Sequence, residues 1–300
     1  MRLSRTLQAI GFMLASMLCF SAMNTIIRQL SFDLHSTQMV FLRNIFSLAI
    51  ILAVCIVLQR GVPTFKTTRL RGHFWRGTIG LAAMECWFHA ITLLPLTLAT
   101  AISFITPVLS TIIAILFLGE KAGFRRWSAI LAGFVGMLVI LRPDVGGLSP
   151  DALFVLASSM LMAIAGTVVK SLTRTESPET IVFYMSLFMT VWSAAPATWY
   201  WQDVALYHLA LAFLIALFST GAHLMLARAY MRADVVVLMP FDFTRLVFTA
   251  LLAYLCFGEV MDTQTITGSL IIVASTVYIA HREARQKKRL LNESTLTDVN

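Results

Sequence analysis

The chain has 300 residues, of which 58% are hydrophobic and only 13% charged, with a mean hydropathy of +0.81 and a net charge of +8. Soluble domains carry roughly 25% charged residues, so this composition excludes a water-soluble globular fold and makes lipid the solvent for most of the chain. The excess positive charge does not point to nucleic acid, because it is segregated along the chain in the way a membrane demands.

A spanning helix needs about 20 apolar residues, and ten such runs follow one another at 7–30, 36–58, 73–94, 97–118, 124–141, 151–171, 179–200, 207–229, 234–257 and 263–281. A β-barrel would instead show segments of ~10 residues alternating apolar and polar side chains, and none are seen. With the N-terminus placed in the cytoplasm, all of the 23 Lys and Arg except Arg28, Arg142, Arg43 and Arg245 fall on the cytoplasmic side. This asymmetry puts both termini inside and requires an even number of spans. Arg2 and Arg5 precede an apolar run too long for a signal peptide, which is read as a retained first span. Cys19, Cys55, Cys86 and Cys256 are isolated, without metal-ligand or redox spacing, and read as packing residues.

In chain order, the first span carries Asn24, expected to hydrogen-bond to another helix, and Arg28, expected to snorkel to the outer interface. The second places Arg43 about seven residues below the outer surface, roughly 10 Å deep at 1.5 Å per residue. The third carries Glu85 at comparable depth and His89 one turn further out. Two readings stay open: a buried Arg43–Glu85 ion pair that fixes packing, or an Arg43 that meets an anionic group while Glu85, a desolvated carboxylate, takes up and releases a proton.

The fourth span has Ser103, Thr106 and Ser110 on one stripe, with Pro107 among them. Proline there frees the Ser103 carbonyl, which is tolerated in a membrane only against protein, hydroxyls or water, so a kink beside a cavity is expected. Gly133 and Gly136 read as close-packing positions, 145–150, VGGLSP, as the seam between halves, and the tenth span carries Gly268. Trp192, Trp199, Tyr200 and Trp201 read as an outer aromatic girdle. The ninth span, with Pro240, Asp242 and Arg245, is the most telling. A charge held in hydrocarbon costs ~2.5–3.5 kcal/mol, and residues three apart share a helix face, so Asp242 and Arg245 either neutralise each other or line a wet cavity. The chain ends in a basic stub, HREARQKKRLLN, suited to anionic lipid.

Residues 101–120 and 240–259 align without a gap, matching at Phe104/Phe243, Val108/Val247, Ala114/Ala253, Leu116/Leu255, Gly119/Gly258 and Glu120/Glu259. The first segment runs inward and the second outward. Five spans per half, an odd number, turns the second half over, which is the arrangement of an inverted-repeat transporter. The fold expected is therefore an all-α membrane protein of ten transmembrane helices in two inverted five-helix repeats, 1–145 and 146–282, followed by a basic cytoplasmic tail, 283–300.

The stretches FLRNIF at 41–46, LAAMECWFHAITLLPLTLATAISFITPVLSTIIAILFLGE at 81–120, LAGFVGMLVILRP at 131–143 and ADVVVLMPFDFTRLVFTALLAYLCFGE at 233–259 resemble the EamA-type branch of the drug/metabolite transporter superfamily. The pattern is most similar to members that take up S-adenosylmethionine. The resemblance implies an inner-membrane carrier with a central cavity lined mainly by spans 1, 3, 4, 6, 8 and 9, working by alternating access.

The functional reading is a secondary transporter of a small polar or zwitterionic solute such as an amino acid or an amino-acid-derived metabolite. Arg43 and Arg245 would meet carboxylates, and Asp242 and Glu85 would meet amines or protons. Trp87, Phe104, Phe241 and Phe243 would form apolar walls, and Asn24, His89, Ser103, Thr106 and Ser110 would complete the binding set. The alternative is a flippase or exporter of amphiphilic, lipid-linked or drug-like compounds. No His-Glu-x-x-His run, Gly-x-Ser-x-Gly turn or paired aspartates on facing spans supports an intramembrane enzyme, and no phosphate-cradling loop supports direct nucleotide drive. No cofactor or metal is expected. The partners expected are the solute and membrane lipid, with the chain working as a monomer or homodimer.

Overall fold

In lipid every backbone polar group must be satisfied within its own segment, so apolar runs of this length have little choice but to be helical. The computed structural model describes residues 5–57, 66–118, 124–141, 149–172, 175–233, 238, 241–275, 277–278 and 281. Its helices are α1 (Arg5–Leu30), α2 (Ser36–Val57), α3 (Leu70–Leu93), α4 (Leu96–Ser103), α5 (Thr106–Leu118), α6 (Phe124–Leu141), α7 (Pro150–Leu172), α8 (Pro178–Trp199), α9 (Leu206–Tyr230), α10 (Thr244–Phe257) and α11 (Thr263–Ser275). Among the described residues there is no strand. By length and composition, five segments can cross a membrane: Leu7–Leu30, Ser36–Val57, Pro150–Val169, Glu179–Trp199 and Leu206–Tyr230. Shorter apolar helices lie at Leu96–Ser110, Ile130–Leu141, Thr244–Phe257 and Thr263–Ser275, and α3 is too polar to count on composition alone.

Local signals explain several boundaries. Ser177 caps α8 by accepting from the Thr180 amide at 3.1 Å, with Pro178 opening the helix where its missing N–H costs nothing. Gly258 ends α10 with φ +68°, a left-handed conformation that favours glycine. Gly136 lies where a Cβ would come within 2.8 Å of the Gly268 carbonyl, so α6 and α11 meet backbone to backbone.

The most extensive helix contacts are α1 with α9 and α3 with α7, and both carry the same device. Ser16 donates to the Ala222 carbonyl at 2.8 Å, and Ser158 donates to the Ala83 carbonyl, also at 2.8 Å. Ala222 stands 139 residues after Ala83, the offset that aligns 240–259 with 101–120. The two acceptors are thus repeat equivalents, while the donors Ser16 and Ser158 stand 142 residues apart, about a turn off the same offset, and one bond runs in each direction between halves.

The fourth span is two helices rather than one kinked helix. The break falls at Phe104 and Ile105, where the amides turn to 3₁₀-type bonds with Ala101 and Ile102 at 3.2 and 3.1 Å. Its second-half counterpart is interrupted at Phe243, between the helical pair Phe241–Asp242 and α10. Pro240, the Gly119-Glu120 pair, Arg142, most of the 145–150 seam and the basic tail lie outside the described residues.

Candidate functional site

The two interruptions meet. Phe104 and Phe243, which occupy equivalent places in the repeats, sit with ring centroids 5.1 Å apart in one core cluster, against which Trp87 and Leu246 also pack. The carbonyl that Pro107 frees is satisfied in place: Thr106 Oγ1 donates to Ser103 O at 2.7 Å. Thr244 Oγ1 does the same for Phe241 O at 2.6 Å on the other side. Threonine hydroxyls therefore stitch both breaks, which lets backbone depart from regular helix without leaving a polar group stranded.

Arg245 is aimed at this crossing. Along α10, Val247, Leu251, Tyr254 and Leu255 are exposed and apolar, a lipid-facing stripe, whereas Thr249 and Ala253 are fully buried. Arg245 lies one turn before Thr249, on the inward side. Its Nη2 donates to Ser103 Oγ at 3.2 Å, and its guanidinium carbon stands 5.3 Å from the Phe104 ring centroid, a cation–π contact. Its carbonyl accepts from Ser21 Oγ at 3.1 Å, and Ser21 in turn accepts from Thr249 at 3.0 Å, so α1 holds the start of α10 in register. Asp242 is close enough to Arg245 for their charges to interact, yet among the described residues it forms no ion pair or hydrogen bond. Both side chains are only half-buried. They do not cancel each other in a closed contact; each keeps bonding capacity for something else.

Asn24 fulfils the helix-to-helix expectation, accepting from Trp87 Nε1 at 3.1 Å and so joining α1 to α3. This brings Asn24, Trp87, Ser103, Phe104, Phe243 and Arg245 into one neighbourhood of α1, α3, α4 and α10. Thr106 stands at the same break. Phe241 packs in a separate apolar cluster with Met13, Met17 and Leu238. His89 is set edge-on to Phe154 at 4.6 Å, on the α7 side. Ser110 is half-buried one turn further along α5.

Arg43 and Glu85 do not pair. Arg43 is 2% exposed and turns toward α9: it donates to Asn44 Oδ1 at 2.7 Å, to Met84 Sδ at 3.6 Å and to Ser219 Oγ. Glu85 lies against Thr37, with Oε1 buried and unpartnered. Equal depth placed the two at one level, but their side chains leave their helices in different directions. Arg28 also departs from expectation: instead of reaching out to the interface it donates to the Ile91 and Thr92 carbonyls at 2.6 and 3.1 Å, closing the C-terminal end of α3. Arg76, counted with the cytoplasmic charges, is buried inside α3.

One functional-looking residue escaped sequence reasoning. Glu259 accepts from the Leu96 and Thr97 amides at 3.2 Å each and from Thr97 Oγ1 at 3.3 Å, capping α4 from the other repeat. A carboxylate after a C-terminal glycine is misplaced for its own helix but well placed for the N-terminus of another. The internal echo of Gly-Glu in both halves was the available signal.

Discontinuous helices from two inverted repeats, meeting mid-molecule beside half-buried charges of both signs, define a multi-pass membrane transporter. The EamA-like transporter family matches the chain twice, over residues 7–142 and 150–280. The protein belongs to that family. It is similar to an S-adenosylmethionine uptake transporter of Rickettsia bellii, 30% identical over 276 residues that cover 92% of this chain and 94% of the relative. It is also similar to a riboflavin transporter of Vibrio cholerae, 28% identical over 295 residues, 95% of this chain and 97% of that one. A solved crystal structure of a protein 18% identical superposes with a TM-score of 0.65, covering 93% of this chain and 98% of the other, which shows the fold.

Proposed function

We propose that the protein is a secondary carrier that imports S-adenosylmethionine, or a closely related zwitterionic metabolite carrying an extra cationic centre, across the inner membrane. The observation that carries this reading is the half-buried, uncancelled Asp242 and Arg245 at the paired helix breaks, beside Trp87, Phe104 and Phe243. Such a solute offers a carboxylate for the guanidinium, cationic groups for the carboxylate and a flat base for aromatic walls. The name of the Rickettsia bellii relative supports the same solute. Ser103, Thr106 and Ser110 orient the solute by hydrogen bonds, and Asn24 fixes the indole of Trp87. Breaks at Phe104 and Phe243 give each half a place to bend, so that repeats 1–145 and 146–282 open the site alternately to either side. Both termini lie in the cytoplasm, by the distribution of Lys and Arg.

Uptake of radiolabelled S-adenosylmethionine into proteoliposomes holding the purified protein tests this. Saturable accumulation, competed by unlabelled compound, is expected. Accumulation of riboflavin with none of S-adenosylmethionine would overturn the solute assignment. Asp242 and Glu85 are the proton-coupling candidates. A pH profile of uptake left unchanged in both Asp242→Asn and Glu85→Gln would remove that role.

A further inference from the structure

A second constellation lies away from the helix breaks, between α2, α3, α8 and α9. Arg76 is 7% exposed and Arg43 2%, two guanidinium groups withdrawn from solvent and from lipid headgroups alike. Guanidinium does not give up its proton inside proteins, so both are charged. Among the described residues neither has a carboxylate partner. Arg43 Nε, Arg76 Nε and Arg76 Nη1 have no acceptor at all. What surrounds them is soft or neutral. Met84 Sδ stands 3.6 Å from Arg43 and Met185 Sδ 3.3 Å from Arg76, thioethers being weak acceptors on flexible stems. Gly80 and Met189 flank the head of Arg76, and a Cβ on Gly80 would collide with its Nη1.

Arg43 and Arg76 are close enough for their charges to interact, and His223 on α9 lies near both. Polar groups able to bond to a ligand gather on the same faces. Asn44 Nδ2, next to Arg43, donates to nothing, and the hydroxyls of Ser47, one turn along α2, and Thr220, next to Ser219, are likewise unpartnered. Burying one unpaired charge is severely unfavourable, and burying two of the same sign side by side is worse.

We propose that Arg43 and Arg76 bind a compact anion, with Asn44 and Ser219 beside it and Met84, Met185 and Met189 moving aside to admit it. Its chemistry is that of a halide or a carboxylate, supplied either as a free inorganic ion or as the acid group of the carried solute. This inference stands on the buried cations and does not depend on the solute assigned above.

The test is thermal unfolding of the purified full-length protein in detergent, titrated with sodium bromide at constant ionic strength. A saturable rise of the midpoint by a few degrees is expected in the wild type. It should be lost in Arg76→Gln and kept in Arg76→Lys. A wild-type midpoint with no saturable bromide response would overturn the proposal, whatever the variants do. So would an equal response in Arg76→Gln. Two supporting outcomes distinguish the sources. If bromide weakens binding of labelled S-adenosylmethionine, the site takes the solute's carboxylate. If solute binding is indifferent to bromide, the site holds a free ion.

Discussion

Two charged regions of the bundle are built on opposite plans. Where α4, α5 and α10 meet, Arg245 and Asp242 carry opposite signs, are half-buried, and stand on interrupted backbone stitched by threonines. Between α2, α3, α8 and α9, Arg43 and Arg76 carry one sign, are almost fully buried, and project from continuous helices. Continuous helix holds a side chain in place, whereas an interrupted one can re-aim it at low cost. The contrast assigns the chemistry that is re-aimed during the cycle to the first region and a fixed, anion-holding pair of charges to the second.

The largest expected effect sharpens this division. Arg245→Gln removes a cation that meets Ser103 and Phe104 without being locked into the core. Uptake should fall at least tenfold, ~1.4 kcal/mol or more, while the unfolding midpoint moves little. Next comes a change that should strike stability and leave the local chemistry alone. Gly268→Val drives a side chain into the Gly136 carbonyl and Ile140, an overpacking cost of about 1–3 kcal/mol, visible as a lower midpoint of unfolding. A third, smaller effect lies between the two. Asn24→Ala frees the Trp87 indole, costing about 0.6–1.7 kcal/mol as an interhelical bond, and should raise KM for the solute while kcat stays near wild type. The smallest tests the inverted symmetry. Ser16→Ala and Ser158→Ala each remove one hydroxyl bond to a repeat-equivalent carbonyl, worth about 0.6 kcal/mol. Their losses of stability should be equal, and additive in the double variant because the sites share no partner.

Much of this architecture is legible in the sequence. Pro107 announced the break of the fourth span, and even the fate of the freed Ser103 carbonyl followed from the hydroxyls around it. Gly133 and Gly136 marked close helix approach, since only a missing Cβ allows it, whereas the part of Gly268 opposite Gly136 emerged only from the packing. Asp242 and Arg245 stood out because charge in an apolar run needs a reason. What failed were readings that needed direction as well as depth. Arg43 and Glu85 share a level but not an azimuth, and the rotation of one helix against another is set by packing that no single segment encodes. Arg76 was hidden by its position near a helix end, where a basic residue reads as a surface charge. The glycines at 77 and 80 around it were the overlooked hint of close packing. Glu259 reads as a poor C-terminal residue until α4 is placed above it.

Thiol accessibility at the two regions measures the division between them directly. In a background with Cys19, Cys55, Cys86 and Cys256 replaced by Ser or Ala, Thr106→Cys and Ser219→Cys would be labelled with a membrane-impermeant methanethiosulfonate in proteoliposomes that also transport. The predicted result is fast labelling of the Thr106→Cys variant, slowed by added S-adenosylmethionine, against negligible labelling of the Ser219→Cys variant. Equal rates at both positions, or a faster reaction at 219 than at 106, would contradict the account.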